Sequence, residues 1–203
     1  MVSKTKIDIV NSALVLVGDN PITSLDDQTT QALVANTLLD DIVEAELFET
    51  RWRFALNTSV STFVSSKTHP TGLGVFQIPS GTIRIWNVLE RGKSVLGEWE
   101  MEGDKLLIDA DANSDIAIER TVEPHVAYWP PHFRMAIIHA LAAVFCMGLT
   151  DNDDKSKLLS AVGDTYRRKA RAQDSGQSTP RVVNTSQMLA SRRGVRSGNE
   201  GLI

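Results

Sequence analysis

The chain has 203 residues and a mass of 22.3 kDa, enough for one domain with a full core and an appendage. Its apolar fraction of 42% and charged fraction of 23% are ordinary for a globular protein and exclude a largely disordered chain. The net charge is −4, but residues 175–203 hold four arginines and one glutamate, which is +3 and leaves −7 on residues 1–174. Because nucleic-acid affinity depends mostly on Lys and Arg, the acidic body argues against nucleic-acid binding through the folded surface.

Two helices are predicted before residue 57. Apolar residues recur at helical spacing from Lys4 to Val17, and Gly18 supplies a stop. Ser24 or Asp27 is the expected N-cap of a second helix, which should continue to about Arg53 because acids at its start and arginines at its end suit the helix dipole. The apolar stripe of this second helix consists of Leu33, Leu38, Leu39, Ile42, Val43, Leu47 and Phe48.

Between residues 57 and 122 the chain is rich in β-branched residues broken by glycine and proline, which predicts a small antiparallel sheet. Turn signals around Gly92 and Gly103 predict tight connections, and the second predicts a hairpin between residues 98–101 and 105–108. The expected strands are Ser59–Val64, Gly74–Ile78, Thr82–Val88, Glu98–Met101, Lys105–Ile108 and Ile116–Thr121.

A third helix is predicted to begin at Pro130-Pro131 and to continue to Leu149. It is apolar on nearly every side and should therefore be surrounded by protein. Its apolar run of 15 residues, Met135–Leu149, is shorter than the roughly 20 residues that cross a bilayer. Residues 1–18 lack the pattern of a signal peptide, so we expect a soluble protein compatible with a reducing compartment.

A fourth helix is expected from Asp153 to about Gln173, with Thr150 or Asp151 as its N-cap and four basic residues near its end. Beyond it, residues 175–203 lose all periodicity and are predicted to be an extended arm. The sequence therefore predicts an α+β fold, with a helical body at 1–56 and 123–174, an inserted antiparallel β domain at 57–122 and an extended C-terminal arm at 175–203.

No motif identifies a catalytic, cofactor or metal site, and we expect no enzyme activity and no cofactor. Residues 109–115 begin like a calcium loop, but Ser114 stands where glycine belongs and Arg120 where the bidentate glutamate belongs, which favours a solvated turn. The only cysteine, Cys146, lies among apolar residues that disfavour a thiolate. The histidines have no metal-binding spacing and are expected in the core or at an interface; they are His69, His125, His132 and His139.

Two further groups of residues leave more than one interpretation open. Asp40 and Glu44 lie one helical turn apart and could act as general acid and base, although such acids are more often simply solvated. The aromatic residues could stack a ligand, but aromatics at the ends of elements more often join subdomains or subunits. This aromatic set is Trp52, Phe54, Trp86, Trp99 and Trp129.

Several strings of residues resemble one family when they are taken in order. They are Ile22-Thr23-Ser24-Leu25-Asp26-Asp27, Arg51-Trp52-Arg53-Phe54-Ala55, Ile78-Pro79-Ser80, Ile83-Arg84, Val88, Trp99-Glu100-Met101-Glu102-Gly103, Leu106-Leu107, Trp129-Pro130-Pro131-His132-Phe133, Ala140-Leu141-Ala142, Leu149-Thr150 and Ala172-Gln173-Asp174. In this order and spacing the chain resembles the tail tubular protein A family, the head-to-tail adaptors of short-tailed bacteriophages. The likeness covers roughly residues 5–192.

The resemblance implies a structural virion protein in the tail neck, assembled in the host cytoplasm. In that family twelve copies form a ring between the portal protein and the tail nozzle protein, and the genome passes through the ring during DNA ejection without specific binding. The implied partners are thus other copies of the chain, the portal and the nozzle, with no membrane. An acidic body suits such a channel, because like charge keeps the DNA mobile.

The predicted arm combines apolar anchors with arginines, a composition suited to ordering on a partner. We expect it to dock on a neighbouring subunit or on the portal through Arg181, Val182, Val183, Met188, Leu189, Arg192, Arg193 and Arg196. Two other functions stay open. One is a virion-associated hydrolase that uses acids of residues 26–49, and the other is a nucleic-acid-binding regulator that acts through the basic arm.

Overall fold

The computed structural model describes residues 4–64, 69–70, 72–95, 99–150 and 152–177. These residues form helices and two four-stranded antiparallel sheets, so the predicted α+β class is confirmed. The helices are α1 (Lys6–Val17), α2 (Thr30–Glu49), α3 (Pro131–Leu149) and α4 (Asp153–Ser175).

Helix α1 begins and ends on local signals. Thr5 and Asp8 form a capping box, in which the Thr5 backbone N–H donates to the Asp8 carboxylate at 2.8 Å. Gly18 closes the helix with φ +86°, a left-handed conformation that favours glycine. The predicted first helix is therefore confirmed, although it begins two residues later than expected.

The predicted N-cap of α2 was wrong. Thr29 caps the helix by accepting a hydrogen bond from the Ala32 backbone N–H at 3.2 Å. Asp27 instead closes the preceding turn, where its carboxylate accepts the backbone N–H groups of Ser24 at 2.9 Å and of Thr23 at 3.0 Å. This loop contains several residues that can cap a helix, and Thr29 is the one that stands directly before the first helical residue.

The predicted end of α2 was also wrong, because the helix ends at Glu49 and not at Arg53. The backbone becomes extended at Thr50 and carries Trp52 into the core, where it is 1% exposed. The Trp52 indole N–H donates to the Glu46 carbonyl at 2.9 Å, which fixes this turn. No acid lies in the first turn of α2 and no base in its last, so the argument from the helix dipole does not apply here.

The predicted apolar stripe of α2 is only partly buried. Leu39, Val43 and Leu47 are in the core, whereas Leu33 and Phe48 are exposed. Two alanines complete the buried face and allow close approach of the neighbouring helices.

Helix α3 starts at the predicted proline pair and is the central helix of the bundle, in contact with α1, α2 and α4. Its length and composition alone would also fit a membrane span, but over half of it is buried within the described part of the chain. Helix α4 packs closely on α3 at Gly163, where an added Cβ would lie 3.3 Å from the His139 Cβ.

The predicted cap of α4 was wrong as well. Asn152 caps the helix, accepting the Lys155 backbone N–H at 3.0 Å, whereas Thr150 ends α3 and donates its hydroxyl to the Cys146 carbonyl. The basic residues expected in the last turn lie before it, because α4 continues to Ser175.

Each helix is antiparallel to the next one in the chain, so the helix termini lie at two common ends of the bundle. At the far end, α1 and α3 finish and α2 and α4 begin; there Lys155 Nζ donates to the Val17 carbonyl at 2.8 Å. At the sheet end, α2 and α4 finish and the chain enters and leaves the strands; there the Arg53 backbone N–H donates to the Asp174 carboxylate at 2.8 Å.

Residues 56–121 form two antiparallel sheets where one small sheet was expected, with strand orders β1-β8-β4-β5 and β2-β3-β7-β6. The predicted strand over residues 59–64 is divided at Ser61, whose backbone N–H donates to the Ile116 carbonyl as the chain crosses between the sheets. The strands are β1 (Leu56–Val60), β2 (Thr62–Phe63), β3 (Gly74–Gln77), β4 (Arg84–Glu90), β5 (Lys93–Ser94), β6 (Trp99–Glu102), β7 (Lys105–Ile108) and β8 (Ile116–Thr121).

Both predicted tight turns are present. Arg91 and Gly92 have φ +48° and +75° between β4 and β5, and Gly103 has φ +59° between β6 and β7. The predicted hairpin is confirmed by pairing of β6 with β7.

Buried residues form two clusters. The larger one lies among the helices, and the smaller one lies between the two sheets. The sheet cluster takes residues from both sheets, so the sheets share one core: Phe76, Ile78, Ile85, Val88, Leu106, Ile108, Ile116 and Ile118.

Candidate functional site

The eight residues assigned to partner binding all lie outside the described residues, which end at Gln177. The structure does describe the position from which that segment leaves. This position is the end of α4. Four charged residues connect it to α2 and to the residues that follow α2. We call them the arm-root cluster: Glu46, Arg167, Arg171 and Asp174.

Glu46 is the central acceptor of the arm-root cluster. It lies on the buried face of α2 with only 5% of its surface exposed, and its Oε2 is 2.5 Å from Arg167 Nε. Arg171 Nη2 lies 3.7 Å from the other Glu46 oxygen and 2.8 Å from Glu49 Oε2. Burial lowers the pKa of Arg167, but the hydrogen bond and charge of Glu46 outweigh burial and raise that pKa.

Asp174 fixes the last turn of α4. It is 6% exposed, and one carboxylate oxygen accepts the Arg53 backbone N–H at 2.8 Å. The other oxygen is buried without a hydrogen-bond partner among the described residues, as is Arg171 Nε. The charges therefore fix the last two turns of α4 against α2 and against the backbone of Arg53.

Sequence reasoning missed this cluster. Glu46 lies next to Leu47 and one turn from Val43, on the same buried face. A glutamate among buried positions was the available signal, because a buried charge requires a partner. The partner, Arg167, is 121 residues away and carries no local mark.

The predicted aromatic set is divided by the structure. Trp52, Phe54 and Trp129 surround Phe133 at the sheet end, with ring centroids 5.2, 4.9 and 5.3 Å from it. The two tryptophans are at most 2% exposed and Phe54 is half-buried, so these rings belong to the core among the helices. They join the chain that follows α2 to the start of α3 within the helical core, whereas the structural interpretation placed them between subdomains or subunits.

The other two tryptophans of the set lie in the sheets, away from this core group. The Trp86 indole donates to Thr121 Oγ1 at 2.7 Å, while Trp99 packs against the core between the sheets. The guanidinium of Arg84 lies over the Trp86 ring at 4.1 Å and over the Phe48 ring at 5.0 Å. Arg84 thereby connects α2 to β4 through a cation–π contact on each side.

Asp40 and Glu44 line an open cleft of about 470 Å³ between α2 and the sheets. Lys6 Nζ lies 2.8 Å from Asp40 and 3.1 Å from Glu123, which also lines the cleft. Burial lowers the pKa of Lys6, but the hydrogen bonds to the two acids outweigh burial and raise that pKa. Lys6 thus compensates the charge of Asp40, and this ion pair joins α1 to α2.

Arg120 forms another wall of the same cleft. Its Nη1 donates to the Ser80 carbonyl and to Thr82 Oγ1, both at 2.7 Å, and burial lowers its pKa. These bonds hold the loop before β4 against β8. The Arg120 guanidinium therefore stabilises the loop that forms one wall of the cleft.

The histidines occupy several environments. His139 is a core residue, 6% exposed, with Nδ1 2.7 Å from the Met135 carbonyl and its ring beside Tyr166. His125 is exposed and accepts the Ala127 backbone N–H on Nδ1 at 3.2 Å. His139 therefore lies in the core as predicted, and the interface alternative stays a prediction for His125.

The calcium-like loop is a closed turn. Asp111 accepts the Asn113 backbone N–H on its carboxylate at 2.8 Å and the Ser114 backbone N–H on its carbonyl at 3.1 Å. Within the described ranges, no group of three or more His, Cys, Asp or Glu side chains is arranged to hold a metal ion.

The chain was compared with known protein families and with curated proteins. No family model matches it, and neither does any curated protein sequence.

Proposed function

We propose that this protein is a structural, non-enzymatic virion component, the head-to-tail adaptor that joins the portal to the tail nozzle as a ring of twelve copies. The observation that carries the proposal is the ordered set of strings by which the sequence resembles the tail tubular protein A family. Two of those strings meet in the fold: Trp52, from Arg51–Ala55, packs on Phe133, from Trp129–Phe133. Two of the strings that carry the resemblance are thus packed together in the helical core, next to the residues that enter and leave the sheets.

The shape of the subunit supports a ring. A closed ring needs two different surfaces on each copy, because its contacts are heterologous. The helical bundle and the paired sheets supply surfaces of different shape and chemistry within one chain. The acidic balance of residues 1–174 suits a channel through which DNA passes without adhering.

The segment after Gln177 supports attachment to a large partner. It has 26 residues and a net charge of +3, and at full extension it reaches at most about 90 Å. It leaves the body from the arm-root cluster, so every copy in a ring would present it from an equivalent place. A neighbouring subunit or a portal in contact with the body would lie within that reach.

The test uses portal rings encoded by the same genome. Full-length protein mixed with these rings should sediment with them, whereas a chain truncated after Gln177 should remain in the supernatant with an unchanged circular dichroism spectrum. A control truncated after Asn199 keeps all eight predicted contact residues and should still bind. Attachment of the Gln177 truncation at full strength would contradict the role of this segment, and no attachment of the intact chain would contradict the proposed function.

A further inference from the structure

Strand β1 is an edge strand that lacks the usual protection against further pairing. It stands at one end of its sheet, with β8 on one side and no described strand on the other. The other edge strands are protected, because β2 and β5 have two residues each and β6 carries Glu100 and Glu102. Strand β1 has five residues, and Leu56–Val60 contains neither a charged residue nor proline. Since short length, charge and proline are what keep additional strands away from an edge, the β1 edge is suited to receive one.

Hydrogen bonds at both ends of β1 show which of its backbone groups point away from β8. Before the strand, the Val122 backbone N–H donates to the Ala55 carbonyl at 3.0 Å. After it, the Ser61 backbone N–H donates to the Ile116 carbonyl at 2.8 Å. Successive residues of an antiparallel strand direct their backbone groups alternately toward and away from the partner strand. The odd-numbered residues 55–61 therefore face β8, and the even-numbered residues face the free edge.

The residues of β1 that face the free edge are Leu56, Thr58 and Val60. The Leu56 N–H already donates to the Arg53 carbonyl, but the N–H groups of Thr58 and Val60 have no partner among the described residues. Both of these side chains are exposed, and that of Val60 is 65% exposed. The free edge thus presents unpaired backbone donors and carbonyl acceptors to another strand.

The end of α4 lies beside the start of β1. The Asp174 carboxylate accepts the Arg53 backbone N–H at 2.8 Å, and Arg53–Ala55 is a single 3₁₀ turn that leads directly into β1. The Gln177 N–H donates to the Asp174 carbonyl at 3.1 Å, so the last described residue lies one turn from this contact. The four residues from Gln177 to Arg181 span at most about 14 Å. Arg181 can therefore reach the start of β1 in its own subunit.

We infer that residues 181–185 pair with the free edge of β1 in the same chain and add a fifth strand to its four-stranded sheet. The composition fits a strand, because Val182, Val183 and Thr185 make this the part of residues 178–203 that is richest in β-branched side chains. The segment equals β1 in length, and Pro180 precedes it, so no proline interrupts the pairing. The added strand runs parallel to β1, since both begin at the same end.

The short connection favours the same chain over a second copy. Three residues, 178–180, separate Gln177 from the segment, and a short connection gives an attached segment an effective concentration in the millimolar range. The segment of another copy must compete at the much lower concentration of the free protein. The inference goes beyond the proposed function and does not depend on it. It places Arg181, Val182 and Val183 on their own subunit and leaves residues 186–203 for a partner.

Amide hydrogen exchange followed by NMR compares the full-length chain with the chain truncated after Gln177. The amides of Thr58 and Val60 should exchange at least about tenfold more slowly in the full-length chain, because only there do they have a hydrogen-bond partner. The amides of Asn57 and Ser59 face β8 and serve as internal controls, whose exchange should change far less.

Two variants of the full-length chain locate the paired segment. Val182→Pro combined with Val183→Pro removes the N–H that faces β1 in either register, and should return the two β1 amides to the exchange rates of the truncated chain. Met188→Pro combined with Leu189→Pro changes an adjacent apolar pair outside residues 181–185 and should leave the protection intact.

Isotope labelling separates pairing within one chain from pairing between copies. When the labelled truncated chain is mixed with unlabelled full-length chain, the labelled Thr58 and Val60 amides should stay unprotected. Their protection would show that the segment pairs with another copy and would overturn the inference. Equal exchange of these amides in the full-length and truncated chains would also overturn it, as would protection that survives the Val182→Pro and Val183→Pro changes. No portal is present in these measurements, so their failure leaves the proposed function to its own sedimentation test.

Discussion

The two ends of the helical bundle are built from the same four helices and differ in how they are covered. At the sheet end, Trp52, Trp129 and Phe133 are at most 2% exposed, and charged side chains bridge α2 to α4. At the far end, Leu33, Met147 and Leu158 are each more than 60% exposed beneath no described part of the chain. The described residues therefore bury an aromatic group at one end and leave apolar side chains uncovered at the other, although Phe48 and Tyr128 near the sheet end are also exposed.

The largest expected effect comes from opening the sheet end. Phe133→Ala removes the ring on which Trp52, Phe54 and Trp129 pack, and should lower the free energy of unfolding by about 3–5 kcal/mol. Tyr128→Ala, at a ring that is 74% exposed, is the matched control and should change it by less than about 1 kcal/mol. Denaturant unfolding measures both, and equal losses would show that the aromatic group is not a core.

A smaller loss is expected from the arm-root cluster. Glu46→Gln removes the buried charge that pairs with Arg167 and Arg171, and we expect a loss of about 2 kcal/mol because both arginines remain partly solvated. Asp164→Asn removes the exposed partner of Arg167 and should cost less than about 1 kcal/mol. If thermal unfolding ranks the two variants the other way, Glu46 is not the central acceptor.

Adjacent leucines on α4 sharpen the contrast at the far end. Leu158→Gln, at a side chain 64% exposed, should change the free energy of unfolding by less than about 0.5 kcal/mol. Leu159→Gln, at a side chain 8% exposed, should lower it by about 2–4 kcal/mol. A large loss of stability for Leu158→Gln in the isolated subunit would mean that the subunit's own chain covers this side chain.

The smallest effect is expected from acid. The backbone N–H of Ser24, the hydroxyl of Thr23 and the backbone N–H of Thr23 hold the pKa of Asp27 below its ordinary value. A carboxyl with a lowered folded-state pKa contributes stability that is present above about pH 4 and is lost as pH falls through the folded pKa. The unfolding free energy of Asp27→Asn should therefore vary less between pH 5 and pH 2 than that of the parent chain, and an identical pH profile would contradict this role of Asp27.

Helix positions were largely predictable, because they follow from local patterns. Gly18 and the Pro130-Pro131 pair mark their helix ends without help from distant residues. The caps of α2 and α4 were not predictable, because several capping residues stand in a row and the turn geometry selects Thr29 and Asn152 among them.

Features that depend on distant partners could not be read from the sequence. The division of the strands at Ser61 depends on Ile116, and the arm-root cluster depends on Arg167 facing Glu46 across 121 residues. In the cleft, Asp40 and Glu44 were identified as neighbours, but the compensation of Asp40 by Lys6 became visible only in the fold. The eight predicted contact residues beyond Gln177 stay a prediction.

The proposed adaptor function is tested most directly by electron microscopy of the purified chain mixed with portal rings encoded by the same genome. We expect a ring of twelve copies on the tail side of the portal, with an open central channel. A portal that remains bare, or copies attached singly without closing a ring, would contradict it.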